Sequence, residues 1–131
     1  MDYFFLDTGS PHYVKFVKDI ESINVFEEGQ KIRYNERFKN GGTNVNFVQI
    51  KDQELYIRTY ERGVEDETLA CGTGVVASVL SAYEAKLISN NSVEVIALGG
   101  DLKVNFEKKD YYHSIDLVGP YNCVFKGEIK C

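Results

Sequence analysis

The segment from Cys71 to Asn91 most constrains the fold, because its apolar residues cover much of a helix surface. Apolar side chains recur there at three- and four-residue steps, the spacing of an α-helix: Val75, Val76, Val79, Leu80, Tyr83 and Leu87. Small residues between them keep the helix slim: Ala77, Ala82 and Ala85. A slim helix that is apolar on much of its circumference must be covered by other elements. The segment therefore predicts a central helix surrounded by a sheet. The predicted outer positions of this helix are Ser78, Ser81, Glu84 and Lys86.

The rest of the chain is typical of short strands joined by turns. Apolar runs and period-2 patterns predict strands over Tyr3–Asp7, His12–Val17, Asn44–Ile50, Glu54–Tyr60, Ser92–Leu98, Leu102–Phe106, Ile115–Val118 and Cys123–Ile129. Loose helical spacing predicts one short helix over residues 24–35. We therefore expect an α+β fold, with a mixed or antiparallel sheet of about seven or eight strands wrapped around one central helix. Residues 1–131 are expected to form a single domain, because one core usually serves a chain of this length.

The composition argues against several classes of function. Fifteen Lys and Arg against twenty Asp and Glu leave a net charge of −5, whereas binding to nucleic acid needs clustered positive charge. No apolar run approaches the ~20 residues that a membrane span requires. The first seven residues lack the basic flank and apolar stretch of a signal peptide. We therefore expect a cytoplasmic protein that binds neither nucleic acid nor membrane.

The cysteines and histidines show no spacing typical of a metal site. Cys71, Cys123 and Cys131 form no C-x-x-C pair, which indicates free thiols. The two histidines, His12 and His113, are far apart in the sequence, so we predict no metal. Cys123 is expected to be buried in a strand, and Cys131 to end a frayed tail. His113 is expected to be solvated just before a strand.

Cys71 has a setting suited to chemistry, at the predicted start of the central helix. Gly72 and Gly74 allow close approach of a ligand to the backbone and expose consecutive N–H groups. The helix N-terminus carries a partial positive charge that suits a carboxylate and favours the thiolate form of Cys71. Arg62 adds to this field, whereas the acidic residues Glu65–Glu67 oppose it. From these residues alone, Cys71 is either a functional thiolate or a cysteine that packs at the helix start.

Five motifs, in order along the chain, resemble one enzyme family. They are Thr8-Gly9-Ser10-Pro11-His12, Thr43-Asn44-Val45-Asn46-Phe47-Val48, Tyr60-Glu61-Arg62-Gly63, Ala70-Cys71-Gly72-Thr73-Gly74, and Gly119-Pro120 before Val124-Phe125-Lys126-Gly127. Together they resemble the C-terminal half of diaminopimelate epimerase over essentially the whole chain. That family comprises pyridoxal-independent amino-acid epimerases of lysine and cell-wall biosynthesis. The resemblance implies two similar halves, each with a sheet around a central helix and one cysteine in a shared cleft.

The resemblance also implies roles for individual residues. Cys71 is implied to be the thiolate that abstracts the α-proton of the L,L isomer, without any cofactor. The N–H groups of Gly72 and Thr73 are implied to hold the carboxylate that stabilises the carbanion. Positions matched to substrate contacts are Ser10, Asn44, Glu61 and Arg62. Positions matched to tuning of the cysteine pKa values are His12 and Glu61.

The chain departs from the family pattern in three ways. Ser10 stands where the family usually has Asn, and the loop from Arg62 to Thr68 is one residue longer than the commoner form. The N-terminal half with its own cysteine is absent from these residues. We therefore expect that the chain alone lacks a complete active site, and that it pairs with an N-terminal half or with itself.

Three alternatives to this assignment remain open. The first is half of a related isomerase, either proline racemase-like or phenazine-biosynthesis-like. The second is a hydrolytic or redox enzyme with Cys71 as the nucleophile and His12 as its base. The third is a non-catalytic fragment that associates with itself through exposed apolar surface.

Overall fold

The structure is a computed structural model, and it describes residues 3–131. Within that range the chain forms eight strands, two α-helices and one short 3₁₀ helix. The strands are β1 (Phe4–Asp7), β2 (Pro11–Phe16), β3 (Asn44–Lys51), β4 (Glu54–Glu61), β5 (Asp66–Thr68), β6 (Ser92–Ala97), β7 (Gly100–Lys108) and β8 (Tyr112–Val118). The helices are α1 (Val25–Arg33) and α2 (Gly72–Glu84), and the 3₁₀ helix is Glu36–Phe38. The expected α+β class is confirmed.

All eight of these strands belong to one sheet. Its order is β1-β2-β3-β4-β6-β7-β8, and β5 pairs with β4 beside this path. The pairs β2–β3 and β4–β6 are parallel, and the other pairs are antiparallel. Helix α2 contacts β1, β2, β3, β4 and β7, so the sheet curls around it. The prediction of a mixed sheet around one central helix is confirmed.

Helix α2 is central because residues on most of its circumference are buried. Its apolar residues pack into the larger core of the protein with Val14, Val48, Leu55, Ile57, Val93, Val95, Val104 and Phe106. Ser78 and Ser81 are buried as well, so the prediction that they face outward was wrong. Their hydroxyls donate to the carbonyls of Gly74 and Ala77, at 2.7 and 2.8 Å. A serine whose hydroxyl is satisfied inside its own helix can be buried at little cost.

Helix α1 covers the opposite face of the sheet. The Asn24 side chain accepts a hydrogen bond from the Glu27 amide and so caps the helix N-terminus. A second, smaller core lies beneath α1 and comprises Val25, Val45, Phe47 and Tyr60. Side chains of a strand alternate between its two faces, so β3 and β4 each contribute to both cores. The predicted short helix is confirmed, with ends at Val25 and Arg33.

Three local predictions differ from the structure. Residues 119–131 form no strand, and Cys123 is exposed there rather than buried. A strand needs a neighbour to satisfy its backbone groups, and no segment of the described chain pairs with residues 119–131. Conversely, Asp66–Thr68 was expected in a loop but pairs with the end of β4. His113 lies inside β8 instead of before it, because β8 begins at Tyr112.

The described helices are too short to span a bilayer. Neither α1 nor α2, the two α-helices between residues 3 and 131, combines the length and hydropathy needed to cross a membrane.

Candidate active site

Polar side chains from three strands meet at the N-terminal end of α2. His12 in β2 is in register with Asn44 in β3, and Asn46 in β3 is in register with Thr59 in β4. All four are buried. Further along the same strands, the residues in the core around α2 are Val14, Val48 and Ile57. The sheet therefore brings a polar layer from distant segments of the chain to one end of an apolar core.

Cys71 is the N-cap residue of α2 and is half-buried. Its side chain makes no capping hydrogen bond, and the first helical bond runs from the Val75 amide to the Cys71 carbonyl at 2.9 Å. The amides of Gly72 and Thr73 precede that bond and donate to no group among residues 3–131. Unpaired amides at a helix N-terminus form a binding site for an anion such as a carboxylate.

A series of hydrogen bonds connects Cys71 with the protein interior. Thr73 Oγ1 lies 3.7 Å from Cys71 Sγ and 2.8 Å from His12 Nε2. Ser10 Oγ lies 3.0 Å from the same His12 nitrogen and 3.2 Å from Thr73 Oγ1. The other ring nitrogen, Nδ1, lies 3.0 Å from Asn46 Nδ2. His12 is therefore linked to Cys71 through Thr73.

The burial of His12 keeps its ring neutral. Loss of hydration is the largest cause of a decrease in the pKa of His12 from 6.5 to about 4. The Asp7 carboxylate raises this pKa in part, and the Arg62 guanidinium lowers it. At neutral pH His12 is thus an uncharged imidazole behind Cys71.

Asn44 joins the strand ends around the site. Its Oδ1 accepts a hydrogen bond from the Arg62 amide at 2.8 Å. Its Nδ2 donates to the Pro11 carbonyl at 3.0 Å and to Ser10 Oγ at 3.3 Å. Asn44 therefore holds the turn before β2 against the end of β4, so that Ser10 and Arg62 are positioned by one side chain.

Glu61 is the last residue of β4 and Arg62 follows it, and the charged groups of both are bonded to neighbouring segments. Glu61 Oε2 accepts a hydrogen bond from Thr68 Oγ1 at 2.8 Å. Arg62 Nη1 donates to the Gly41 carbonyl at 2.7 Å. These single hydrogen bonds orient the two side chains while leaving further donors on Arg62 and lone pairs on Glu61 for a ligand.

Two of the acidic residues expected to oppose a thiolate at Cys71 are paired with cations. Glu65 accepts from Arg33 Nε at 3.1 Å and from the Tyr60 hydroxyl at 3.2 Å. Glu67 forms a two-point pair with Arg58, at 2.6 and 2.8 Å. The negative charges of Glu65 and Glu67 are therefore compensated by Arg33 and Arg58. Both carboxylates consequently oppose a thiolate at Cys71 less than the sequence suggested.

Asn46 and Thr59 contact this site although the sequence did not mark them as candidate site residues, and Gly74 has a packing role there besides the one expected from the sequence. Asn46 Oδ1 accepts from Thr59 Oγ1 at 2.9 Å. A Cβ atom at Gly74 would overlap Asn46 Oδ1 and lie 3.1 Å from His12 Cε1. Glycine thus lets the helix backbone pack directly on the Asn46–His12 pair. The available signal was a second asparagine two residues after Asn44, on the same face of an otherwise apolar strand.

The site holds a single cysteine. Cys123 and Cys131 are exposed and lie in the segment after β8. In the described part of the chain, no group of three or more His, Cys, Asp or Glu side chains is placed to hold a metal ion. The chemistry available is that of one thiol beside unpaired helix amides, with a neutral imidazole behind it.

The fold is similar to those of solved phenazine biosynthesis proteins of the PhzF family. The crystal structure of the Enterococcus faecalis protein matches with a TM-score of 0.63 at 19% identity, over 84% of this chain and 41% of that chain. The Clostridium difficile protein matches with a TM-score of 0.60, over 79% of this chain and 39% of that chain. At this identity the likeness concerns the fold alone.

Sequence comparison identifies the family. The model of the diaminopimelate epimerase family matches residues 4–124. The diaminopimelate epimerase of Flavobacterium psychrophilum is 42% identical over 130 residues, which cover 98% of this chain and 51% of that protein. The diaminopimelate epimerase of Aquifex aeolicus is 42% identical over 128 residues, with 96% and 45% covered. The chain thus spans about half the length of the curated relatives it matches. It belongs to the diaminopimelate epimerase family.

Proposed function

We propose that this chain is one half of a cofactor-independent amino-acid epimerase that interconverts L,L- and meso-diaminopimelate. The observation that carries the proposal is the position of Cys71 beside the unpaired amides of Gly72 and Thr73. A base and an anion site are therefore adjacent, as the removal of a proton next to a carboxylate requires. Membership of the diaminopimelate epimerase family supplies the substrate.

In the proposed reaction Cys71 acts as the base. Its thiolate takes the α-proton, so that an S–H bond forms while the α-C–H bond breaks. The electron pair of that bond remains on the substrate and is shared with the adjacent carboxylate. The amides of Gly72 and Thr73 stabilise the carboxylate as its negative charge increases. A second acid on the opposite face of the α-carbon then returns a proton and completes the inversion.

Four side chains are proposed to hold the rest of the substrate. Diaminopimelate carries two carboxylates and two ammonium groups, so it needs partners of both signs. Arg62 is suited to a carboxylate and Glu61 to an ammonium group. Asn44 and Ser10 offer neutral polar groups, although Ser10 reaches less far than the asparagine usual in the family.

The second acid is proposed to come from another protein segment. Among the cysteines of the described chain, only Cys71 lies at the helix terminus, since Cys123 and Cys131 are exposed after β8. Support also comes from the relatives, of which this chain covers about half. We therefore propose an N-terminal half, or a second copy of the chain, as the partner that completes the site.

The test is exchange of the α-proton of L,L-diaminopimelate in D₂O, followed by NMR. The purified chain is measured alone and after addition of the N-terminal half of a related epimerase, with Cys71→Ala as the control. We expect deuterium uptake that depends on Cys71 once the partner is present. Rapid turnover by the chain alone, in a monomeric state, would contradict the proposed need for a partner.

Substrate choice is tested in the same assay with other amino acids. Exchange on proline in preference to diaminopimelate would replace the proposal with a proline racemase-like activity. Hydrolysis of a thioester or peptide that is abolished by Cys71→Ala would favour a cysteine hydrolase. The hydrogen bonds argue against the hydrolase, because Thr73 lies between His12 and Cys71.

A further inference from the structure

Asn46 is a buried amide whose orientation is determined by its neighbours. One of its terminal atoms lies 3.0 Å from the backbone oxygen of Tyr13. A carbonyl oxygen can only accept a hydrogen bond, so this atom is the amide nitrogen Nδ2. The other terminal atom, Oδ1, accepts from Thr59 Oγ1 at 2.9 Å. The two ends of the Asn46 side chain are therefore assigned by contacts on opposite sides.

This orientation assigns the proton on the His12 ring. Asn46 Nδ2 has two hydrogens, and besides the Tyr13 carbonyl its neighbour is His12 Nδ1 at 3.0 Å. Nδ1 therefore accepts, and a neutral imidazole with an accepting Nδ1 carries its proton on Nε2. The Nε2–H group then donates to Thr73 Oγ1 at 2.8 Å, the nearer of its two possible acceptors, since Ser10 Oγ lies at 3.0 Å. A proton on Nδ1 would place two N–H groups against each other in a buried position.

We infer that Asn46 is a positioning residue that holds His12 in the Nε2–H tautomer and so directs the Thr73 hydroxyl proton toward Cys71. Because Thr73 Oγ1 accepts from His12, its own hydrogen is available to Cys71 Sγ at 3.7 Å. A hydrogen bond donated to sulfur favours the thiolate, which is the form that the proposed epimerase reaction uses. His12 is then a donor that supports the thiolate, rather than a base that removes the thiol proton.

The groups around the His12 ring are consistent with donation from His12 to Thr73 and from Thr73 to Cys71. The charges that act on His12 are Asp7 and Arg62, which are opposite in sign. Ser10 is the one neutral group near Thr73 that competes for its hydrogen, at 3.2 Å. Ser10 Oγ already accepts from Asn44 Nδ2 at 3.3 Å, which occupies one of its two lone pairs.

The first test reads the tautomer directly. The full chain labelled with ¹⁵N is studied by long-range ¹H–¹⁵N NMR at pH 7, and His113→Gln identifies the signals of His12. We expect an unprotonated Nδ1 and a protonated Nε2. Asn46→Asp is expected to reverse them, because a carboxylate accepts from Nδ1–H. A wild-type ring protonated on Nδ1 would overturn the inference.

The second test measures how fast iodoacetamide alkylates Cys71 at pH 7. Cys123→Ser and Cys131→Ser remove the two exposed thiols from every sample. We expect Thr73→Val to slow alkylation about tenfold, the size of one lost hydrogen bond to a charged group, and Thr73→Ser to restore the rate. This pair stays informative even if the Asn46→Asp variant does not fold.

A control variant completes this test. Asn105→Asp makes the same asparagine-to-aspartate change as Asn46→Asp, but in β7, at an amide that accepts from Ser92 Oγ, and is expected to leave the alkylation rate unchanged. Equal rates for the wild type and Thr73→Val would overturn the inference. Neither readout needs turnover, so loss of epimerase activity alone would count against the proposed function and not against this inference.

Discussion

At the residue scale, the buried and neutral His12 couples the stability of the protein to pH. The pKa of His12 is about 4 in the folded chain against 6.5 for a free histidine. Between these values the unfolded chain binds a proton that the folded chain does not, so stability falls as the pH falls. From this residue we expect a loss of about 2 kcal/mol in the free energy of unfolding between pH 7 and pH 5. This decrease is measured by urea unfolding of the wild type and of His12→Gln at both pH values. The free energy of unfolding should decrease less in the variant than in the wild type.

The other histidine serves as the control for that experiment. His113 lies in β8, and its side chain is near Glu107 rather than in the core around α2. The His113→Gln variant should therefore retain the fall in stability between pH 7 and pH 5. An equal fall in the His12→Gln variant would show that another group is responsible.

Glu65 is a second residue whose charge state contributes to stability. Burial raises the pKa of Glu65, but hydrogen bonds from the Gly63 amide, the Tyr34 hydroxyl and Arg33 outweigh it and lower the pKa to about 2. A carboxylate with a lowered pKa stabilises the fold above its unfolded value of 4.5, and this contribution is lost as the pH falls toward 2. We expect the stability difference between the wild type and Glu65→Gln to be largest above pH 4.5 and to shrink by pH 3. Unfolding by urea at pH 7 and pH 3 measures this difference. Asp66→Asn serves as the control and should lower the free energy of unfolding at pH 7 by less than Glu65→Gln does.

At the element scale, each helix approaches the sheet closely through a glycine. Gly74 allows α2 to pack on Asn46, and Gly29 allows α1 to pack on Tyr60. A Cβ atom at Gly29 would overlap Tyr60 Cβ, and Tyr60 is fully buried. The position of α1 above the second core thus depends on the absence of one side chain.

The substitution Gly29→Ala tests whether this packing outweighs helix propensity. Alanine is favoured over glycine in a helix interior by about 1 kcal/mol, whereas overpacking a core costs roughly 1–3 kcal/mol. Because Tyr60 is fully buried and the overlap falls on its Cβ, which is fixed to the strand backbone, we expect a net decrease in the free energy of unfolding. Urea unfolding is the measurement, and Gln30→Ala at the exposed neighbouring position should change stability by less than about 0.5 kcal/mol. A more stable Gly29→Ala protein would contradict the close packing.

At the scale of the whole molecule, the segment after Pro120 contributes nothing to the described cores. Its large apolar side chains are almost fully exposed, with Tyr121 at 90%, Phe125 at 82% and Ile129 at 88%. Exposed apolar groups along an extended segment favour contact with another chain. The chain up to Pro120 thus contains both cores, whereas residues 121–131 carry apolar side chains that are buried in neither core.

Removal of residues 121–131 tests whether this segment contributes to the stability of the folded protein. We expect the free energy of unfolding to change by less than about 0.5 kcal/mol, because no buried surface is lost. Self-association, measured by sedimentation velocity over a range of concentrations, is expected to decrease. A large loss of stability would mean that these residues pack on the folded part in solution.

The amino-acid sequence by itself determined the elements whose signal is local. The apolar period of α2, the loose helical spacing over residues 24–35 and the alternation in β3 and β4 all lie within single segments, so they predict those elements correctly. The motifs around His12 and Cys71 likewise pointed to the family. None of these inferences required knowledge of which segments become neighbours.

Only the tertiary structure decided which distant groups satisfy one another. The contact of Asn46 with His12, and the pairing of Glu65 with Arg33, join segments more than thirty residues apart. Residues 123–129 were predicted as a strand from their apolar run, yet they have no neighbour in the described chain. Hydrogen bonds and burial depend on a partner, and a partner supplied by another segment leaves no periodic signal in the sequence. For that reason the family could be predicted from the sequence, while the direction of the hydrogen bonds around Cys71 required the fold.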